Sequence, residues 1–425
     1  MKKGMVGASV FAILLAATQP ALVHAADSTT ATTAPASTTD QAATTANATG
    51  VDTPQSQISG VRTPKKVDSL DLDKVIDLAI NDSYNLQLLQ LKYRVLDQQN
   101  ANLGLNYVDY LNASPGLQYV TTNRSNEVSL SQGSRTGQTL EDNIRDLNTQ
   151  KLNTQLQVDE AKEGTRLAMT GQYVQLLSTQ KQIALSQEYI QVLTRDVQRA
   201  QTLQSLGSGT QEDVDKANRA LKAEQDNLTK LNDTYQETLS TLCYDLGIVY
   251  NPKIELKPLD VKLDPVPTVD ADALLSKSYQ IQSLGNNLNK ARQDEENAIT
   301  DNSFQEQANK TTTDIAAQQL AQGKVNYAKA IQSNLVDMDT AYKAVQTAQR
   351  QAQDATVDGV NLQIRYNAGV VTKYDLQKYQ YQVDATQAKA DLTAMQYYVQ
   401  KAKVDAMNKG YIANTSASAS ASAQQ

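Results

Sequence analysis

The chain has no tryptophan, two phenylalanines, one cysteine and one histidine. The histidine, His24, and one of the phenylalanines, Phe11, fall within the segment 1–25. There Lys2 and Lys3 precede a mostly apolar run, Val10 to Ala17, and Val23 and Ala25 offer small side chains at the positions a signal peptidase reads. This pattern predicts an export signal over 1–25, cleaved after Ala25. The mature chain then has no imidazole, which removes the commonest general acid–base group and metal ligand. Its single thiol, Cys243, excludes an internal disulfide. Cys243 follows an apolar heptad position and reads as a buried structural residue. No cysteine pair or glycine-rich phosphate loop is present, so the sequence offers no enzyme site, cofactor or metal centre. Loss of Lys2 and Lys3 takes the net charge from −7 to −9, and that acidity gives no basic face for nucleic acid. No other segment approaches the roughly 18 to 20 apolar residues of a membrane-crossing helix. A mature chain that spans a membrane must therefore do so as a β-barrel or within a larger assembly.

Proline is scarce and its placement is informative. The nine prolines lie at 20, 35, 54, 64, 115, 252, 258, 265 and 267. The last four mark a linker over 251–267. Residues 26–66 are rich in Thr, Ala, Ser and Gln, and 413–425 is largely Ser-Ala repeat. Both compositions are too poor in apolar surface to offset ordering entropy, which predicts a disordered leader and tail.

What the chain has is a repeat. Met169, Leu176, Ile183, Ile190 and Val197 are spaced by seven, as are Val214, Leu221, Leu228, Tyr235 and Leu242 beyond a turn. One constant shift along the chain carries this pattern onto Ile331, Met338, Val345 and Ala352, then Leu376, Val383, Ala390, Tyr397 and Val404. A sustained period of seven means coiled-coil packing. The expected fold is mainly α, with two tandem repeats of long antiparallel hairpins over 67–250 and 268–412. Repeat one reads as a helix from Leu72 to about Leu111, a long helix from near Leu140 to Leu206, and a return from Thr210 to about Leu246. Repeat two reads as Ala271 to Ile299, Thr313 to Ala368, and Thr372 to Met407. The five tyrosines Tyr374, Tyr379, Tyr381, Tyr397 and Tyr398 read as helix–helix packing, since Tyr397 holds a heptad position.

Each hairpin turns on Gly-x-x-Thr-x-x-Asp: Gly207, Thr210 and Asp213 in the first, Gly369, Thr372 and Asp375 in the second. Glycine lets the incoming helix end in a left-handed conformation. Threonine caps the outgoing helix, and aspartate three residues on can reach back to the cap N–H. The two aspartates also suit a second role, facing a shared axis as a charged ring.

A doubled hairpin with these turns resembles the TolC family of outer-membrane export channels. Further segments are similar to that family: Gly171-Gln172-Tyr173-Val174-Gln175-Leu176-Leu177 on the long helix, the opening Leu72-Asp73-Lys74-Val75-Ile76-Asp77-Leu78-Ala79-Ile80-Asn81, and Arg365-Tyr366-Asn367-Ala368-Gly369 at the second turn. The resemblance covers roughly residues 69–410. It implies a homotrimer whose helices form a tunnel across the periplasm. It also implies an outer-membrane barrel with four strands from each protomer. The turns would form the periplasmic tip, meeting an adaptor protein and an inner-membrane transporter, with Asp213 and Asp375 near the entrance. The transporter would supply the energy.

One part departs from the family pattern. Two strand pairs are expected, one in each repeat. In repeat one only a short hairpin near 116–131 alternates, at Leu117/Tyr119 and Val128/Leu130, and its runs are shorter than the roughly 9 to 11 residues that cross a bilayer. In repeat two, the stretch from Ile281 to Gly369 is shorter than the matching Leu86 to Gly207 by the length of a strand pair with its loop, and 301–310 reads as a polar turn. A trimer would have at most six short strands, too few for a family-style barrel. The alternative reading is a barrel-less coiled-coil envelope protein that spaces or tethers layers.

Overall fold

The computed structural model describes residues 64–113, 132–267, 269–297 and 303–413. The expected export signal and nearly all of the leader, the short hairpin near 116–131, and all of the tail but Ala413 lie outside the described residues.

Each repeat opens with a short helix that stops at a serine. Helix α1, Leu72–Asp82, is capped by Asp71, whose carboxylate accepts the Lys74 N–H at 2.8 Å. At Ser83 the backbone turns extended, and its hydroxyl accepts the Leu86 N–H at 3.3 Å to start α2, Tyr84–Ala113. The long α3, Gln132–Ser205, follows, then α4, Gln211–Asp245. In repeat two, α5, Ala271–Lys277, and α6, Tyr279–Glu296, are divided in the same way at the buried Ser278. There the Ser278 hydroxyl accepts the Ile281 N–H at 3.4 Å. Then come α7, Ser303–Asn367, and α8, Lys373–Asn408.

Three expectations are corrected here. The continuous helices 72–111 and 271–299 are each broken, because a serine in extended conformation caps the helix that follows it. The polar segment 301–310 is helical from Ser303 onward, and α3 begins at Gln132 instead of near 140. Gln, Glu, Ala and Lys favour helix even where no apolar stripe announces it.

At about 1.5 Å per residue, the 74 residues of α3 span about 110 Å and the 65 of α7 about 100 Å. Such rods bury seams, and α3 packs against α1, α2, α4, α6 and α8, while α7 packs against α5, α6 and α8. All 19 heptad positions named above are buried or half-buried. The α7–α8 seam narrows to Ala348, Ala352 and Ala390, small side chains that let the helices approach closely.

The segment between the repeats is tied down. Strands β1, Ser69–Leu70, and β2, Glu255–Leu256, pair in parallel, with Ser69 opposite Glu255 and Leu70 opposite Leu256. The described strands therefore join the start of repeat one to the Pro-rich linker. Around them lies one apolar core containing Leu70, Val75, Tyr173, Leu176, Leu239, Leu242, Cys243 and Leu246. Burial pushes the Cys243 thiol pKa up, as befits a structural cysteine. A second core, around Leu274, Ile331, Met338, Tyr397, Val404 and Met407, serves repeat two.

Candidate functional site

The two hairpin turns are built alike. In the first, Gly207 sits at φ +72°, and the Ser208 N–H reaches back to the Leu203 carbonyl at 2.8 Å. In the second, Gly369 sits at φ +74°, and the Val370 N–H reaches the Arg365 carbonyl at 2.9 Å. These bonds satisfy the last carbonyls of the incoming helices, and the left-handed glycine makes them reachable. Thr210 and Thr372 then cap α4 and α8. Their hydroxyl oxygens accept the N–H of Asp213 and Asp375, each at 3.2 Å, and each hydroxyl donates to the aspartate carboxylate at 2.7 Å. Only the first turn has a complete capping box, in which the Thr210 N–H donates to Asp213 at 3.0 Å. These bonds from Thr210 hold the Asp213 carboxyl below its usual pKa.

Asp213 thus reaches back to its cap N–H as the spacing predicts, whereas Asp375 bonds only the Thr372 hydroxyl; both remain exposed, so their charge faces water. Beside them, Leu206 and Val370 are exposed as well. The turns leave an apolar side chain and a carboxylate at the end of each hairpin.

A contact that sequence reasoning missed ties one hairpin to the other next to the turns. The Tyr374 hydroxyl, in the first turn of α8, donates to Asp196 of α3. The Arg199 guanidinium lies 4.3 Å from the centre of the Tyr374 ring, and Lys378 is 3.8 Å from Asp196. Burial, then the Asp196 carboxylate, raise the Tyr374 pKa. Further along the same α3–α8 seam, the rings of Tyr189 and Tyr381 stack at 4.9 Å, and Lys181 pairs with Asp391 at 2.8 Å. Tyr381 and Tyr397 therefore pack, the latter at the heptad position expected for it, with Tyr374 adding a polar bridge between repeats.

A second feature lies on the outside of α7. Its exposed large apolar side chains are Phe304, Ile315, Val325, Val336, Val357, Val360 and Ile364. Every interval between them is built from steps of three and four residues in alternation, so all seven share one heptad register. The seam inside the protomer, through Ile331, Met338, Val345 and Ala352, lies on a different register. Helix α7 carries two coiled-coil stripes and uses one of them within the chain.

Among the described residues, no group of three or more His, Cys, Asp or Glu is placed to hold a metal ion, and no helix is long and apolar enough to cross a membrane. No protein-family model matches the sequence, and no curated protein is similar to it by sequence. Solved structures do match. The outer-membrane channel OprN superposes with a TM-score of 0.59 at 13% identity, over 80% of this chain and 90% of that one. The Campylobacter jejuni CmeC outer membrane channel gives 0.59 at 14%, over 83% and 89%. The outer membrane protein VceC of Vibrio cholerae gives 0.53 at 12%, over 80% and 97%. The fold is that of the TolC-family outer-membrane channels. With sequence identity this low, what is shared is the fold alone, over most of both chains.

Proposed function

We propose that this chain is the protomer of a passive outer-membrane export or efflux conduit that works as a homotrimer with a periplasmic adaptor and an inner-membrane transporter. The observation that carries this reading is the shared fold, which runs over most of both chains in each comparison with an outer-membrane channel. The outer stripe of α7 supports it, because a second heptad face is what a ring of hairpins needs to close against its neighbour. On this reading Gly207, Thr210, Asp213, Gly369, Thr372 and Asp375 form the periplasmic tip, and the exposed Asp213 and Asp375 carboxylates form a ring at the entrance. A cysteine at Asp375, in a chain with Cys243 replaced by serine, tests the ring. The expected result is oxidative crosslinking between protomers, and a trimer without such crosslinks leaves the aspartates with capping alone.

The short connection between α6 and α7 favours a second reading, a barrel-less spacer or tether of the envelope. Deleting the gene separates the two. A conduit predicts intracellular accumulation of exported compounds, whereas a spacer predicts a changed distance between envelope layers with export intact.

A further inference from the structure

We propose that repeat two does not enter a membrane at all, and that its α6–α7 hairpin ends in water on the periplasmic side. Helix α6 ends at Glu296 and α7 begins at Ser303, leaving 297–302 as the whole connection. A connection of that length reaches about 20 Å when fully extended. Two crossings of a hydrocarbon core about 30 Å thick need roughly 18 to 22 strand residues plus a turn.

The helices on either side supply no alternative crossing. Both are strongly polar, and neither is long and apolar enough to span. They also close on each other near the connection. The Thr313 hydroxyl donates to the Ala291 carbonyl at 3.2 Å, and Leu288, Ala291, Ala316 and Leu320 form a small apolar cluster. Asn297 caps the end of α6 in helical geometry, its N–H bonded to the Gln293 carbonyl. Asp294, Glu295 and Glu296 occupy the last turn of α6 and Glu306 the first turn of α7. Asp294 is paired with Arg145 at 3.4 Å and Lys290 at 2.7 Å, and burying the other three carboxylates in hydrocarbon carries a prohibitive desolvation cost. The described ends of the two helices here, Glu296, Asn297 and Ser303, are all exposed.

The inference holds whether the trunk conducts or merely spaces layers, so its test is separate from the tests of function. Ser303 is exposed at the start of α7. Ser303→Cys in a Cys243→Ser background, expressed as the full chain in its own cells, is treated with a bulky membrane-impermeant maleimide. The expected result is no labelling of intact cells and full labelling once the outer membrane is permeabilised. Labelling of intact cells would place this hairpin outside and overturn the inference. Failure to label after permeabilisation would also overturn it, since the site would then not be in water. Val370→Cys, at the opposite end of the hairpins and exposed, reports whether the reagent reached the periplasm.

Discussion

Tyr173 of α3 and Tyr397 of α8, both fully buried, hold the two ends of the segment that joins the repeats. The Tyr173 hydroxyl lies 2.7 Å from the Lys257 carbonyl and 3.0 Å from that of Leu70. The Tyr397 hydroxyl donates to the Asp264 carbonyl at 2.7 Å and accepts the Asp264 N–H at 3.1 Å. Each ring fills a core while its hydroxyl ties that core to the linker backbone. Burial raises the Tyr173 pKa to about 12, so it donates at every physiological pH. Tyr173→Phe and Tyr397→Phe should each cost about 1–3 kcal/mol in thermal unfolding. Tyr244→Phe should cost nothing measurable, because Tyr244 is 86% exposed.

The turns differ in how they are capped, and that difference is measurable. Removing the hydroxyl in Thr210→Ala or Thr372→Ala should cost about 1 kcal/mol each in helix stability. The first turn should respond to acid. Asp213 has a folded pKa below its ordinary 3.8, so its contribution is present above that value and is lost as pH falls below it. Hydrogen exchange over the first turn of α4, corrected for the intrinsic effect of pH, should rise below pH 3.8 in the natural chain. In Asp213→Asn that rise should be absent.

Glycine is required at Gly410 more stringently than at the turns. A side chain at Gly369 would meet no atom, so Gly369→Ala should cost about 1–2 kcal/mol for the left-handed backbone alone. Gly410 has φ +100°, and a Cβ there would lie 2.5 Å from the Lys277 carbonyl. Gly410→Ala should therefore destabilise more than Gly369→Ala, and should also loosen the bond from the Tyr279 N–H to the Gly410 carbonyl. Differential scanning calorimetry of the two variants checks the order.

The outer stripe of α7 separates folding from assembly. Val360 is 57% exposed in the protomer, whereas Val345, on the inner stripe, is fully buried. Val345→Asp should prevent folding by burying an unpaired charge. Val360→Asp should leave the helical circular dichroism of the protomer unchanged and reduce its association, read by sedimentation velocity in detergent. Unchanged association would mean that a second copy does not cover this face.

The hairpins and turns were legible in the sequence because seven-residue spacing and Gly-x-x-Thr-x-x-Asp are local signals with local causes. The serine breaks were less visible, yet a signal existed. Ser83-Tyr84-Asn85-Leu86-Gln87 matches Ser278-Tyr279-Gln280-Ile281-Gln282, at a wider spacing than that between the two hairpin turns. The difference is the stretch by which repeat two is the shorter. A search at the hairpin spacing alone passes over this pair. The Tyr374–Asp196 bridge and the anchoring of the linker by Tyr173 and Tyr397 were not legible. They join residues 84 to 178 positions apart, and nothing in the identity of a tyrosine names its acceptor. The start of α7 was missed because Phe304 is the only large apolar residue in 303–314, too few for a periodic signal.

The native mass of the mature protein, extracted in detergent from the outer-membrane fraction, tests the central claim most directly. A trimeric conduit predicts that the protein fractionates with the outer membrane, resists salt extraction, and sediments at three times the mass of one chain. A freely soluble monomer or dimer would contradict it.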